Sequence, residues 1–203
     1  MYWADRLVEK LDKNKKHRVD DMKTPSGHAH VGSLRAIGTH GLVYEAAKHA
    51  GLDVDFTYVV NDMDPMDGMP VYLDEKEYGQ HMGKPLYSVP APDGTSASLA
   101  AQYANEYISS FRALGFYPTI IWSSQLYKEG KANEIIRNIL DNVEVVRKIY
   151  KEVAEQIKPE GWYPLQVVCP QCGKVGSSLV TGWDSQQVTF ECKKDLAEWA
   201  EGC

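Results

Sequence analysis

Two histidines stand two residues apart in TPSGHAHVGSLR, residues 24–35, where a proline and two glycines lead into an apolar, helix-compatible run. A glycine-bearing turn that feeds a helix presents free backbone N–H groups and the positive end of the helix dipole, so this stretch suits an anion, phosphate above all. Gly27 and Gly32 carry no Cβ and let the backbone come close to such a ligand. The imidazoles of His28 and His30 can donate to oxygens on which charge develops. Two other readings stay open on these residues alone. A His-x-His pair can bind metal, although residues two apart share a face only in a strand and no third ligand is evident. A capping turn with surface histidines needs no ligand at all.

Two further clusters carry chemistry. Asp62 and Asp64, in NDMDP, follow an alternating, β-branched and aromatic segment, VDFTYVVN, that predicts a strand over 54–61. Carboxylates at the carboxyl end of a parallel strand can hold a cationic ligand; equally, they can cap a turn bent by Pro65. In the C-terminal region, Cys169 and Cys172 form CPQC, with Cys192 after 19 intervening residues and Cys203 after ten more. Two thiolates from one tight turn and two from elsewhere close a tetrahedral site without an open position, which points to structural zinc. A three-cysteine or empty site, buried free thiols and a redox pair are the alternatives, the last disfavoured because CPQC opens no helix of a thioredoxin-like unit.

These residues need elements to position them. ADRLVEKLDK, within an amphipathic N-terminal stretch reaching Val19, predicts a helix with Leu7, Val8 and Leu11 on one face. Lys10, Lys13, Lys15, Lys16 and Arg18 read as its solvated end, since Asp12, Asp20 and Asp21 sit among them. A second helix runs through Leu34, Ile37, Gly41 and Tyr44 to Gly51, a C′ residue. Residues 62–95 are too rich in Pro, Gly and Asp to be regular throughout. A helix from Ser98 to Leu114 and a short strand in YPTIIWS follow. Then comes one long helix with Ile136, Leu140, Val143, Tyr150, Val153 and Ile157 in a stripe. Helix and strand in alternation predict a parallel α/β sheet. KPEGWYP marks a boundary, giving domains 1–160 and 161–203. Past it, short polar strands offer little core, as where a metal substitutes for one.

Composition narrows the function classes. With 43% hydrophobic and 25% charged residues the chain reads as an ordinary globular protein, and no run of about 18 apolar residues predicts a membrane span. The N-terminus lacks the apolar stretch of a signal peptide, which places the chain in the cytoplasm and turns its four cysteines towards metal or buried thiols rather than disulfides. A net charge of −6 argues against non-specific nucleic-acid binding as the main activity.

The order of these features resembles one family. TPSGHAHVGSLR is similar to the HIGH signature of class I aminoacyl-tRNA synthetases. The opening MYWADRLVEKL, NDMDP, YGQHMGKPLYSVPAPDG, SSQLYKEGKANEIIRNIL and CPQCGK extend the likeness to the N-terminal part of class I lysyl-tRNA synthetases. The resemblance implies an α/β, Rossmann-like (HUP-type) parallel sheet flanked by helices, incomplete in this stretch, with a small C-terminal zinc-ribbon-like module. It implies ATP-dependent lysine activation and transfer to tRNA(Lys), with ATP and Mg2+ as substrate and Zn2+ as a structural ion. Another nucleotidyl transferase of the HIGH superfamily is a weaker alternative, against which NDMDP and CPQC speak.

By the same resemblance His30, Gly32 and Ser33 are the catalytic signature. Thr24, Pro25, Ser26, Gly27, His28, Asn61, Asp62 and Asp64 contact ATP or lysine, with His28 on a variable position, and Cys169, Cys172, Cys192 and Cys203 hold the metal. Asn61 stands where the family commonly has Asp, Ala36 where glutamate is frequent, and VDDMK where a small apolar strand runs into Thr-Gly or Ser-Gly. No KMSKS-like loop occurs and the likeness breaks off inside the zinc module. These features imply weak or absent activity for the stretch alone, or a non-catalytic nucleotide- or partner-binding module joined by a complementary C-terminal half.

Overall fold

The computed structural model describes residues 2–203, and its contacts divide the chain into two compact units. One runs to Met63 and includes Pro90–Gln125; the other is Asp64–Val89 with Leu126–Cys203.

The first unit is an α/β layer arrangement. Helix α1 (Trp3–Val8) precedes β1 (His17–Lys23), α2 (Val31–His49), β2 (Val54–Val60), α4 (Leu99–Ala113) and β3 (Thr119–Trp122), and the strands form a parallel sheet in the order β1-β2-β3. α1 is shorter than its amphipathic pattern suggests, and the basic run beyond it is turn and then strand rather than a helix end. β1 is polar and alternates half-buried with exposed positions. It exists through its neighbour: all seven residues pair with β2, the Thr57 hydroxyl donates to Asp20, and Lys16 Nζ lies 2.9 Å from Asp55.

α2 ends where Gly51 takes φ +74° at C′, with Lys48 and His49 in the last turn complementing the dipole. α4 begins at Ser98, whose hydroxyl accepts from the Ala101 amide at 3.1 Å, and ends before Gly115 at φ +92°. Tyr103, Tyr107 and Phe111 form its buried stripe, and Tyr107 and Phe111 meet Ile37, Phe56, Tyr58 and Val60 in the main core. Each of these side chains, once removed from water, contributes roughly 1.5–3 kcal/mol.

In the second unit, residues 64–89 hold only a short α3 (Glu75–Tyr78) and two 3-10 turns, in keeping with their Pro and Gly content. The single long helix anticipated after β3 is instead α5 (Ser123–Lys128), shared between the units, then α6 (Asn133–Asp141) and α7 (Val143–Val153). Asn142, at φ −114° and ψ 30°, breaks it, its side-chain amide donating back to the Asn138 carbonyl at 2.8 Å. Leu140 is buried, whereas Val153 and Ile157 of the anticipated stripe are exposed. β4 (Ser178–Trp183) and β5 (Val188–Cys192) form an antiparallel hairpin that carries one cysteine. Among the described residues no helix is long and apolar enough to cross a membrane.

Candidate functional site

The three parallel strands finish level: Lys23 pairs with Val60, and Val60 with Trp122. The segments that follow, residues 24–30, Asn61–Asp62 and Ser123–Ser124, therefore leave the sheet side by side at its carboxyl edge, where ligands of parallel α/β sheets bind. The Asn61 amide reaches across to the Lys23 carbonyl at 3.0 Å.

In the turn, Pro25 is buried, Thr24 and Gly27 are half-buried, and Ser26 is exposed, with its amide on the Thr24 carbonyl at 3.0 Å. His30 is the N-cap of α2, extended at φ −134° and ψ 163°, and its carbonyl takes the Ser33 and Leu34 amides at 2.9 and 3.2 Å. Val31 and Gly32 are the positions whose amides the helix ladder leaves over. The exposed His30 ring folds back over Gly32, with Nε2 3.2 Å from the Ser33 hydroxyl. A Cβ on Gly32 would lie 3.0 Å from His30 Nδ1, tight enough to displace the ring, so the glycine here makes room for the imidazole.

The two histidines differ in engagement. His28 Nδ1 lies 2.7 Å from Glu106 Oε2 and its ring meets Tyr103 edge-on at 5.0 Å, while Glu106 Oε1 accepts from the Ala29 amide at 3.0 Å. One residue further along α4, the Tyr107 hydroxyl donates to the Ser33 carbonyl at 2.6 Å; burial, with the Asp21 carboxylate added, pushes this phenol up to about 12.

Asp62 is 2% exposed and its carboxylate is already satisfied. It accepts from the Ser123 hydroxyl at 2.9 Å, the Ser124 amide at 2.8 Å and the Ser124 hydroxyl at 2.5 Å, capping α5. The Ser123 hydroxyl also lies 3.1 Å from Asn61 Oδ1. In the second unit the Asp64 carbonyl takes the Leu86 amide at 2.9 Å, the Gly83 amide donates to the Met66 carbonyl at 2.8 Å while its carbonyl takes the Val175 amide at 2.7 Å, and Pro65 bridges Pro85.

Sequence reasoning missed Glu106, Tyr107 and the serine pair. Ser-Ser directly after a short strand is a cap signal and was legible. Glu106 was not, because its partners lie 77 and 78 residues away.

The four cysteine Sγ atoms lie within 4.8 Å of one another, with Cys169–Cys203 and Cys172–Cys192 both at 3.7 Å. A tetrahedron of thiolates bound at about 2.3 Å has edges of about 3.8 Å, so the four could hold a metal ion, and at these distances they are not disulfides. Local chemistry brings them together. The CPQC turn closes through the Gly173 amide on the Cys169 carbonyl at 2.8 Å, with Gly173 at φ +73°. Gly202 passes so close to the Lys193 carbonyl that a Cβ there would lie 2.3 Å away, which lets Cys203 reach the cluster. Burial opposes ionisation of Cys192, but the Ser177 hydroxyl and the Cys203 amide outweigh it and hold that thiol at about 6. Hydrogen bonds to Cys192 and Cys169 push Cys203 up to about 12.

A parallel α/β sheet whose carboxyl edge carries a glycine-bearing turn into a long helix is the architecture of nucleotide-binding α/β proteins. The family described as tRNA synthetases class I (K) matches residues 1–201, and the chain belongs to it. Similar curated proteins are the lysine–tRNA ligases of Methanosarcina barkeri strain Fusaro, 34% identical over 192 residues, and of Methanocaldococcus jannaschii, 31% over 198. A third, from Archaeoglobus fulgidus, is 31% identical over 193 residues. The alignments cover 94–95% of this chain but only 36–39% of those proteins, so the chain spans little more than a third of their length.

Proposed function

We propose that the chain supplies the ATP- and lysine-binding part of a class I lysine–tRNA ligase, acting in the cytoplasm on lysine, MgATP and tRNA(Lys). The observation that carries this reading is the placement of the Thr24–Ser33 turn beside Asn61–Asp62 at the carboxyl edge of the sheet. In this reading the sheet is the first part of a Rossmann-like domain, spanning residues 1–160. Thr24, Pro25, Ser26 and Gly27 bring backbone close to the phosphates. Val31 and Gly32 offer amides, and His30 donates to the phosphoryl oxygens as the lysine carboxylate attacks the α-phosphorus and pyrophosphate leaves.

The buried Asp62 acts on lysine as fixed negative charge and as the anchor of Ser123 and Ser124, while Asn61 presents a neutral carbonyl towards an ammonium. Asp64 supplies a second charge for the amino acid. Cys169, Cys172, Cys192 and Cys203 hold structural Zn2+ in a ribbon-like module over residues 161–203. The ion would bind the four thiolates and stabilise a region with few buried apolar side chains.

Lysine-dependent ATP–pyrophosphate exchange tests the reading, run on the zinc-loaded chain with and without a C-terminal half from a relative. Exchange that depends on lysine supports it; none under either condition contradicts it. A non-catalytic nucleotide- or partner-binding module is the second reading. It is favoured by the fully occupied Asp62 carboxylate and the uncharged Asn61, and it predicts MgATP binding without exchange.

A further inference from the structure

We propose that Glu106 is a positioning residue that, with Tyr107, fixes the turn on both sides of His30, and that His28 serves this clamp rather than the ligand. The inference rests on the reading of the turn as a phosphate site. The two consecutive α4 residues grip backbone at two points, Glu106 the Ala29 amide at 3.0 Å and Tyr107 the Ser33 carbonyl at 2.6 Å. His30 lies between these points, so its backbone is held while its ring stays exposed. The grip comes from a rigid base, because Tyr103, Tyr107 and Phe111 of the same helix are at most 3% exposed.

The charge is managed as well as the geometry. A carboxylate beside an anion site would repel the ligand, but one oxygen of Glu106 faces the His28 imidazole at 2.7 Å and the other an amide. His28 is thereby turned towards α4 and Tyr103. The residue types follow from this division: the carboxylate needs two acceptor oxygens, one for a ring and one for an amide. Gln at 106 keeps an acceptor for Ala29 and a polar group for His28; Ala keeps neither.

The test compares the wild-type chain with Glu106→Ala and Glu106→Gln by two measurements, amide hydrogen exchange across residues 28–34 and the dissociation constant for MgATP. Glu106→Ala is expected to speed exchange in that segment and to weaken MgATP about tenfold, the scale of a small misplacement of binding groups. Glu106→Gln is expected to restore both to within about twofold, since the acceptor for Ala29 remains. Unchanged exchange and affinity in Glu106→Ala would overturn the proposal, as would a Gln variant impaired as severely as the Ala variant. A wild-type chain that fails to bind MgATP contradicts the phosphate reading and the ligand role of the clamp. Faster exchange in Glu106→Ala alone would still uphold the clamp itself.

Discussion

Around the cysteines four side chains converge from separate points of the second unit, two from a tight turn, one from a strand end and one past Gly202. Around His30 it is backbone that converges. Three strand ends stop level, and the side chains there either hold one another, as Asp62 holds Ser123 and Ser124, or stay exposed, as His30 does. Clustered, mutually bonded thiols suit a structural ion, and an exposed ring over free helix amides suits a transient anion. On the proposed reading the first site makes fold and the second makes chemistry, and substitutions should separate the two.

The largest effect on stability belongs to the thiols. Cys172→Ser is expected to lower the melting temperature of the zinc-loaded chain by about 10 °C or more, because the proposed ion contributes folding free energy there. Calorimetry with and without chelator checks this, and melting indifferent to both would erase the contrast. His30→Ala should do the reverse: a loss of roughly a hundredfold in lysine-dependent pyrophosphate exchange, with melting within about 2 °C of wild type. His28→Ala should cost much less exchange, and equal loss from both would mean that the two rings share one role.

Gly32→Ala sharpens the distinction within the turn. Its new Cβ would lie 3.0 Å from His30 Nδ1 and move the ring, so MgATP should bind several-fold more weakly. Melting should nonetheless hold or rise slightly, since Ala exceeds Gly in helix propensity by up to about 1 kcal/mol. Titration and thermal melts of one preparation measure both.

The smallest effect concerns pH in the second unit. Burial first, and then the Lys84 charge, lower the His81 pKa below its ordinary 6.5. The unfolded chain therefore binds more protons than the folded one as pH falls through that value. His81 favours folding fully above 6.5, and this contribution shrinks in the acid range below it. Melting curves at pH 7.5 and pH 5 should differ slightly less in His81→Gln than in wild type.

Much of this was legible in the sequence because it is local. The turn into α2, the Gly51 cap, the limits of α4 and the CPQC turn each rest on residues within a few positions of one another. What was hidden depends on distant partners. β1 carries Asp20 and Asp21, and its first residues read as the end of the N-terminal helix until β2 pairs with them; Glu106 is an ordinary polar helix position until the His28 turn meets it. The apolar stripe after β3 misled in the opposite direction. Its periodicity runs on through Ile157, but Asn142 bonds backwards to Asn138 and splits the helix. Asp62 was legible as a carboxylate at a strand end. Its burial under Ser123 and Ser124 required β3 to be placed beside β2.

Titration of MgATP into the wild-type chain and into His30→Ala, both zinc-loaded, tests the nucleotide site most directly. Saturable binding in the wild type, weakened about tenfold or more in His30→Ala at unchanged melting temperature, is the predicted result. Identical isotherms for the two proteins, or no binding by either, would contradict it.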